Sequence, residues 1–309
     1  MRTLITGGAG FLGSALANRL AGEGHTVLVL DDLTAGDARQ LGPAVLLTRG
    51  DVRDVPKLWS LLQQVDCVYH LAARVRVPES IYYPRDYNEV NVGGTVSVME
   101  AMRDTGVRRV VFASSAALYG EQAEQPIKES QPPRPNSPYG VSKIAAEYYV
   151  STLGALYEIE TVSLRIFNAY GPGQDLPPSY PPVIPQLLRQ AQTGGSLVIF
   201  GDGNQTRDFV YVQDVVDALL LAATVGEANR AVINIGSGTS ICINELAELV
   251  GRVTGREVGL LHNQAHSGGV CRLVADVTLA EKLLGWRPST GLEEGLGRIL
   301  AQDPRFHIP

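Results

Sequence analysis

An apolar, β-branched run, Thr3–Thr6, leads directly into Gly7-Gly8-Ala9-Gly10-Phe11-Leu12-Gly13, and that turn opens an amphipathic stretch, Phe11–Ala21. A strand, a glycine turn and a helix in this order leave few folds open. Gly7 permits the tight turn, Gly10 lets a diphosphate approach the backbone, and Gly13 lets the helix pack close to the strand. The N–H groups of Phe11 and Leu12, at the helix start, offer unpaired donors and a partial positive charge to phosphate oxygens. Asp31 ends the next strand 18 residues after Gly13, with Asp32 behind it. A carboxylate there accepts from both hydroxyls of an adenosine ribose and repels a 2′-phosphate. The expected cofactor is therefore NAD rather than NADP.

The rest of the first half repeats the pattern. Thr26–Leu30, Val45–Thr48, Cys67–Leu71, Val110–Ser114 and Thr161–Phe167 read as strands that are apolar on both faces. Pro56–Gln63, Tyr87–Thr105 and Pro138–Leu156 read as the helices between them. Alternation of this kind predicts an α/β fold, a Rossmann-type doubly wound parallel sheet joined by right-handed crossovers. Residues 1–170 are assigned to this unit, with some later segments returning to it. Asp51 and Val52, just after the third strand, are read as the adenine edge.

After Tyr170 the texture changes. Gly171–Pro185 contains six prolines and two glycines and reads as a long functional loop. Short strands (Leu197–Phe200, Phe209–Val212, Val232–Ile235) and helices (Val212–Thr224, Ile243–Thr254, Leu279–Leu284, Leu292–Ala301) follow. Residues 171–309 are read mainly as a smaller C-terminal α/β substrate lobe, with the ligand in the cleft between lobes. Asp303–Pro309 is expected to be a loose tail.

Composition narrows the function. Twenty-six Lys and Arg stand against 32 Asp and Glu, a formal charge of −6, so a surface built to neutralise nucleic-acid phosphates is not expected. Three cysteines, Cys67, Cys242 and Cys271, form no disulfide framework and have no metal-ligand spacing. No signal peptide and no apolar run near the ~20 residues of a membrane span is visible, so a cytoplasmic protein is expected.

The chemistry-bearing residues come next. Ser114-Ser115-Ala116-Ala117 ends the fifth strand, and Tyr139-Gly-Val-Ser-Lys143 opens the following helix. Tyr139 and Lys143 are four apart, so both side chains leave one face. A phenol with an ordinary pKa near 10 is a poor base at neutral pH. A neighbouring ammonium and a cationic nicotinamide would stabilise its phenolate. Lys143 can donate to the nicotinamide ribose, and Ser115 can hold the same substrate oxygen as Tyr139.

With these residues in place the chain resembles the extended short-chain dehydrogenase/reductases. Within them it is most similar to the nucleotide-sugar 4-epimerases of the UDP-glucose and UDP-N-acetylglucosamine 4-epimerase kind. The resemblance runs to about Leu300. It rests on Gly7/Gly10/Gly13, His70-Leu71-Ala72-Ala73, Asn91 in Asn-Val-Gly-Gly-Thr, and Ser115, Tyr139 and Lys143. It continues through Arg165-Ile-Phe-Asn168-Ala-Tyr-Gly-Pro, Gly201-Asp-Gly-Asn-Gln-Thr-Arg207-Asp-Phe and Leu284-Gly-Trp-Arg-Pro. The resemblance implies a tightly held NAD, contacted also by Leu71, Ala72, Ala73 and Asn91, that is reduced and reoxidised within one turnover. Tyr139 would take the proton from the sugar C4 hydroxyl, and the 4-keto sugar would turn before hydride returns to its other face. It further implies substrate contacts from Asn168, Val183, Phe200 and Arg207, and a homodimer formed through about 92–103 and 144–153.

Two departures bear on substrate. His266 and Gly269 stand where the family usually has the Arg and the acid of Arg-x-Gly-Asp, so either His266 or another residue such as Arg272 supplies that charge. Leu273 matches the position that, in the family, gates a C2 N-acetyl group, and it is intermediate in bulk, which leaves hexose and N-acetylhexosamine sugars open; the uronic acid counterparts are further candidates. The alternatives are a 4,6-dehydratase, whose acid/base pair is replaced here by Ala116 and Ala117, a reductase exchanging free NAD(H), or a non-catalytic NAD(H)-binding regulator.

Overall fold

The computed structural model describes residues 1–264 and 270–307. The first half alternates as expected. It contains β1 (Arg2–Thr6), α1 (Phe11–Gly22), β2 (Thr26–Asp31), β3 (Leu46–Arg49), α2 (Val55–Leu61) and β4 (Cys67–His70). After these come α3 (Val77–Tyr82), α4 (Pro84–Asn88), α5 (Gly94–Thr105), β5 (Arg109–Ser115), α6 (Pro138–Leu156) and β6 (Glu160–Ile166). The second half holds β7 (Asn168–Tyr170), α7 (Val183–Gln192), β8 (Leu197–Phe200), β9 (Thr206–Arg207), β10 (Phe209–Tyr211) and α8 (Val212–Thr224). It ends with β11 (Ala231–Ile235), β12 (Ile241–Cys242), α9 (Ile243–Thr254), β13 (Leu260–Asn263), α10 (Thr278–Leu284) and α11 (Leu292–Gln302).

Seven strands form one parallel sheet in the order β11-β6-β5-β4-β1-β2-β3. Strand order reverses between β1 and β4, and the crevice at such a switch point is where α/β sheets bind ligands. Alternate side chains of each strand enter opposite apolar layers. Ile5, Val29 and Val111 face α1 and α8 with Leu16, Leu20, Val215 and Leu219. Leu4, Leu28 and Val110 face α2, α5 and α6 with Leu58, Val98, Met102 and Val150. Burial on both faces explains why the strands read as continuous apolar runs. Each such side chain contributes about 1.5–3 kcal/mol.

The C-terminal lobe has its own core. Ile184, Leu187, Leu188 and Ala191 of α7 pack with Leu197 and Ile199 of β8, Leu246 and Val250 of α9, and Leu296 of α11. The division at residue 170 is not a clean cut: β11 is the seventh strand of the main sheet, and α8 and α10 with Trp286 complete one of its layers.

Three expectations are corrected. The segment expected as one helix from Tyr87 is α4, a wider π turn over Glu89–Gly93, and then α5. The loop expected to run to Pro185 ends at Val183. Pro182 is the N-cap of α7 and Pro185 lies in its first turn, where backbone N–H groups lack intrahelical partners and proline costs little. The tail is anchored over 303–307, residues 308 and 309 lying outside the described residues: Phe306 is buried, Asp303 accepts from Gly173 N at 2.9 Å, and Arg305 Nη2 donates to Gln174 O at 2.8 Å. These bonds tie the start of the proline-rich segment to the segment after α11, whose Phe306 packs in the core of the C-terminal lobe. No helix among the described residues is long and apolar enough to cross a membrane.

Candidate active site

At the β1 turn, a Cβ on Gly13 would lie 2.2 Å from Gly7 O, so only glycine lets α1 close on the turn. Gly10 caps α1 and no side chain caps that end, which leaves the first N–H groups of the helix to a ligand. His70, ending β4 opposite Thr6, secures the turn from below. Its Nδ1 lies 2.7 Å from Thr6 Oγ1 and its Nε2 2.9 Å from Thr95 Oγ1. Thr95 spends its own proton on Asn91 O at 2.6 Å, so it accepts from His70 and the imidazole proton sits on Nε2. Burial holds this ring neutral, with its pKa pushed down to about 3.

Asp31 accepts from Ala9 N and Leu33 N, each at 2.9 Å, one on each carboxylate oxygen. Each oxygen retains a lone pair for a ribose hydroxyl. Burial raises the Asp31 pKa, an effect the two backbone donors oppose.

The catalytic candidates converge. Ser137 Oγ caps α6 by accepting from Gly140 N at 3.2 Å, and Pro138 occupies the first helical position, so Tyr139 projects from the first turn. A Cβ on Gly140 would sit 2.7 Å from Ala117 O, so glycine lets this turn seat against the backbone that follows Ser115. Ser115 Oγ accepts from Ala117 N at 3.2 Å, and Ser115 and Tyr139 line the same groove. Burial raises the Tyr139 pKa, an effect the nearby Ser115 hydroxyl opposes. The Lys143 ammonium lies over the Phe112 ring, 4.5 Å from its centroid. Burial pushes its pKa down to about 7, opposed by the negative charge of Glu147.

One groove, about 350 Å³ in volume, joins these parts. Gly7, Gly10, Phe11, Leu12, Gly13, Asp31, Asp32, Asp51, Val52, Leu71, Ala72, Ala73, Ser115, Tyr139 and Lys143 all line it. A bare helix end at its centre, a carboxylate with free lone pairs at one end and a Tyr–Lys pair at the other fit a dinucleotide. Asn91 is absent from this lining. It stands behind the wall, its amide spent on Arg74 N (2.7 Å), Arg74 O (3.0 Å) and Ser142 Oγ (2.9 Å).

Apart from Ser115, the described substrate candidates lie outside this lining. Val183 opens α7, which packs on β8, and β8 ends at the exposed Phe200. Arg207 Nη1 donates to Val270 O at 2.7 Å, and burial lowers its pKa, the direction expected of a cation taken from water. Asn168 Nδ2 donates to Asp208 O at 3.0 Å. Leu273 is buried beside Ala116 and Phe167, close to the end of the catalytic strand. His266 and Gly269 lie outside the described residues.

Sequence reasoning missed Asp208 and Glu147. Asp208 makes no ion pair with Arg207; it is fully buried and accepts from Ser237 N, Ser237 Oγ, Gly238 N and Ala275 N at 2.6–3.0 Å. It thereby fixes the segment at Ala275, which bridges to Ile127, beside β10. It also missed Arg76 and Asp175, an ion pair at 2.7 Å between two walls of the groove.

Comparison with known proteins adds the family. The model of the NAD dependent epimerase/dehydratase family matches residues 3–236. A putative UDP-glucose 4-epimerase of Methanocaldococcus jannaschii is 38% identical over 299 residues, 96% of each chain. The crystal structure of UDP-glucose 4-epimerase from Thermotoga maritima with UDP-glucose superposes with a TM-score of 0.93 at 34% identity, covering 97% of this chain and 98% of that one. UDP-N-acetylglucosamine 4-epimerase from Methanobrevibacter ruminantium, in complex with UDP-N-acetylmuramic acid, gives a TM-score of 0.92 at 32% identity over 97% of each chain. Groove, Ser–Tyr–Lys set and likeness agree: the chain belongs to the NAD-dependent epimerase/dehydratase family, as an NAD-dependent nucleotide-sugar 4-epimerase.

Proposed function

We propose that the substrate is a UDP-linked hexose, with UDP-glucose and UDP-galactose as the pair interconverted, and that Tyr139 is the base. The observation that carries this is the convergence of Tyr139, Ser115 and Lys143 at one end of the groove whose other end is Asp31. Bound NAD supplies a hydride acceptor and donor within one turnover. Gly7, Gly10 and the α1 N-terminus hold its diphosphate, and Asp31 its adenosine ribose. Lys143 donates to the nicotinamide ribose and keeps a positive charge beside Tyr139. Tyr139 takes the proton from the C4 hydroxyl and returns it to the same oxygen after the sugar has turned; Ser115 holds that oxygen meanwhile. Arg207 and Asn168 anchor the nucleotide, so binding energy far from C4 holds a sugar that must stay mobile.

Ala116 and Ala117 carry no acid or base, and this favours epimerisation over dehydration. Tyr148 and Tyr149, exposed on α6, support a homodimer through that helix, and a cytoplasmic location accords with the nucleotide-sugar substrate. Tyr139→Phe tests the role of the base. The variant is expected to retain NAD and lose about 10²–10⁴-fold in turnover, the worth of a placed acid–base group. Turnover at the wild-type rate would remove Tyr139 from the mechanism.

A further inference from the structure

Glu147 lies one turn beyond Lys143 and two beyond Tyr139 on α6, and it is buried. Its Oε2 accepts from Ser114 Oγ at 2.6 Å and Arg165 Nε at 3.1 Å, and its Oε1 accepts from Arg165 Nη2 at 2.6 Å. Ser114 is the residue before Ser115, and Arg165 pairs with it across β5 and β6. One carboxylate therefore ties the helix that carries Tyr139 and Lys143 to the strand that carries Ser115.

The bonding continues into the substrate lobe. Arg165 Nη1 donates to Tyr119 Oη at 2.8 Å, and Tyr119 Oη donates to Asn234 Oδ1 at 2.8 Å. Asn234 Nδ2 donates to Ile127 O at 2.8 Å, and Ile127 N donates to Val274 O at 2.7 Å, next to Leu273.

We propose that Glu147 is a positioning residue for the proton transfer: its carboxylate sets Lys143 and Tyr139 against Ser115 and holds this assembly in register with the extended segment bearing Leu273. The proposal rests on the reading of Tyr139 and Lys143 given above. A buried ion pair is a poor device for stability alone, because apolar residues of like volume serve as well or better. The titratable groups that act on Lys143 are His70 from β4 and Glu147 from α6, with Tyr139 one turn before it on α6 lining the same groove; Phe112 of β5 adds its ring face. His70 is neutral, so Glu147 is the anion that favours the protonated amine, and Arg165 of β6 is the cation that faces Glu147.

The test is Glu147→Gln and Glu147→Asp, read by kcat and KM against pH, by bound NAD after purification, and by ¹³Cε-lysine NMR titration of Lys143. Glu147→Gln is expected to keep NAD and KM and to lower kcat at least tenfold. Loss of the carboxylate weakens Lys143's hold on its proton, so the alkaline limb of kcat and the Lys143 titration both move down by on the order of one pH unit. Glu147→Asp restores the limb. A lower kcat with both limb and titration unmoved, or an Asp variant indistinguishable from Gln, overturns the proposal. If Glu147→Gln does not fold, Ser114→Ala removes a single bond. It is expected to lower kcat several-fold at constant KM with the limb in place, and a wild-type kcat overturns the proposal. The outcomes separate from the underlying reading: an active Tyr139→Phe defeats that reading, whereas an inactive Tyr139→Phe with an unmoved Glu147→Gln defeats this inference alone.

Discussion

Gly140→Ala isolates the contact that seats Tyr139. In a helix this exchange ordinarily stabilises by up to about 1 kcal/mol. Here the added Cβ would stand 2.7 Å from Ala117 O and 3.0 Å from Pro135 Cβ. The first neighbour is backbone, so the helix turn and the segment after Ser115 must part by several tenths of an ångström. Such overpacking costs about 1–3 kcal/mol. The sum is a stability change between no change and a loss of about 3 kcal/mol. Catalysis is far more sensitive. Ala117 N donates to Ser115 Oγ, so displacing Ala117 moves Ser115 away from Tyr139. A misplacement near 1 Å costs on the order of 10²-fold in rate. The assay is C4 interconversion followed by proton NMR, beside a thermal melt and the bound-NAD content. The expected variant folds, holds NAD and turns over roughly 10–100-fold more slowly. A raised melting temperature with an unchanged kcat would show that Gly140 is an ordinary helical glycine and would refute the seating argument.

Two further predictions concern the cofactor groove. Asp31→Ala removes the carboxylate from the ribose; hydrogen bonds to a charged group contribute about 1.5–3 kcal/mol, so NAD affinity is expected to fall roughly 10–100-fold while discrimination against NADP weakens. Chromatography of the nucleotides released on denaturation reads both effects, and undiminished NAD content would contradict the assignment. His70 has a folded pKa near 3, below its unfolded value of about 6.5, so the unfolded chain binds the extra proton between those pH values. Stability from this group is present above pH 6.5 and lost as pH falls, by about 2 kcal/mol between pH 6.5 and 5. Denaturant unfolding of wild type and His70→Gln at both pH values measures it; equal slopes for the two proteins would show that the ring does not titrate on unfolding.

What the sequence disclosed is local. The glycine turn, Asp31 and the Tyr139/Lys143 spacing are each written within one strand–turn–helix or one helix turn, where rise per residue fixes which side chains meet. Glu147 and Arg165 are 18 apart, Asp208 and Ala275 are 67 apart, and Tyr119 and Asn234 are 115 apart. Nothing in composition or period pairs such positions; only the sheet order does. Helix α7 was hidden for another reason. Its apolar spacing at Ile184, Leu187, Leu188 and Ala191 is regular, but the prolines around it dominate a reading by composition, although they occupy the cap and first turn where proline is tolerated. The tail was misread because its anchors, Gly173 and Gln174, lie about 130 residues upstream.

The measurement that bears most directly on the central claim is a product assay on purified protein with no added cofactor. UDP-glucose and UDP-galactose are offered separately, proton NMR follows C4, and absorbance at 340 nm is recorded alongside. Each substrate is expected to approach the same mixture of the two with no net absorbance change. Net NADH formation, a 6-deoxy-4-keto product, or no change in either sugar would contradict the account.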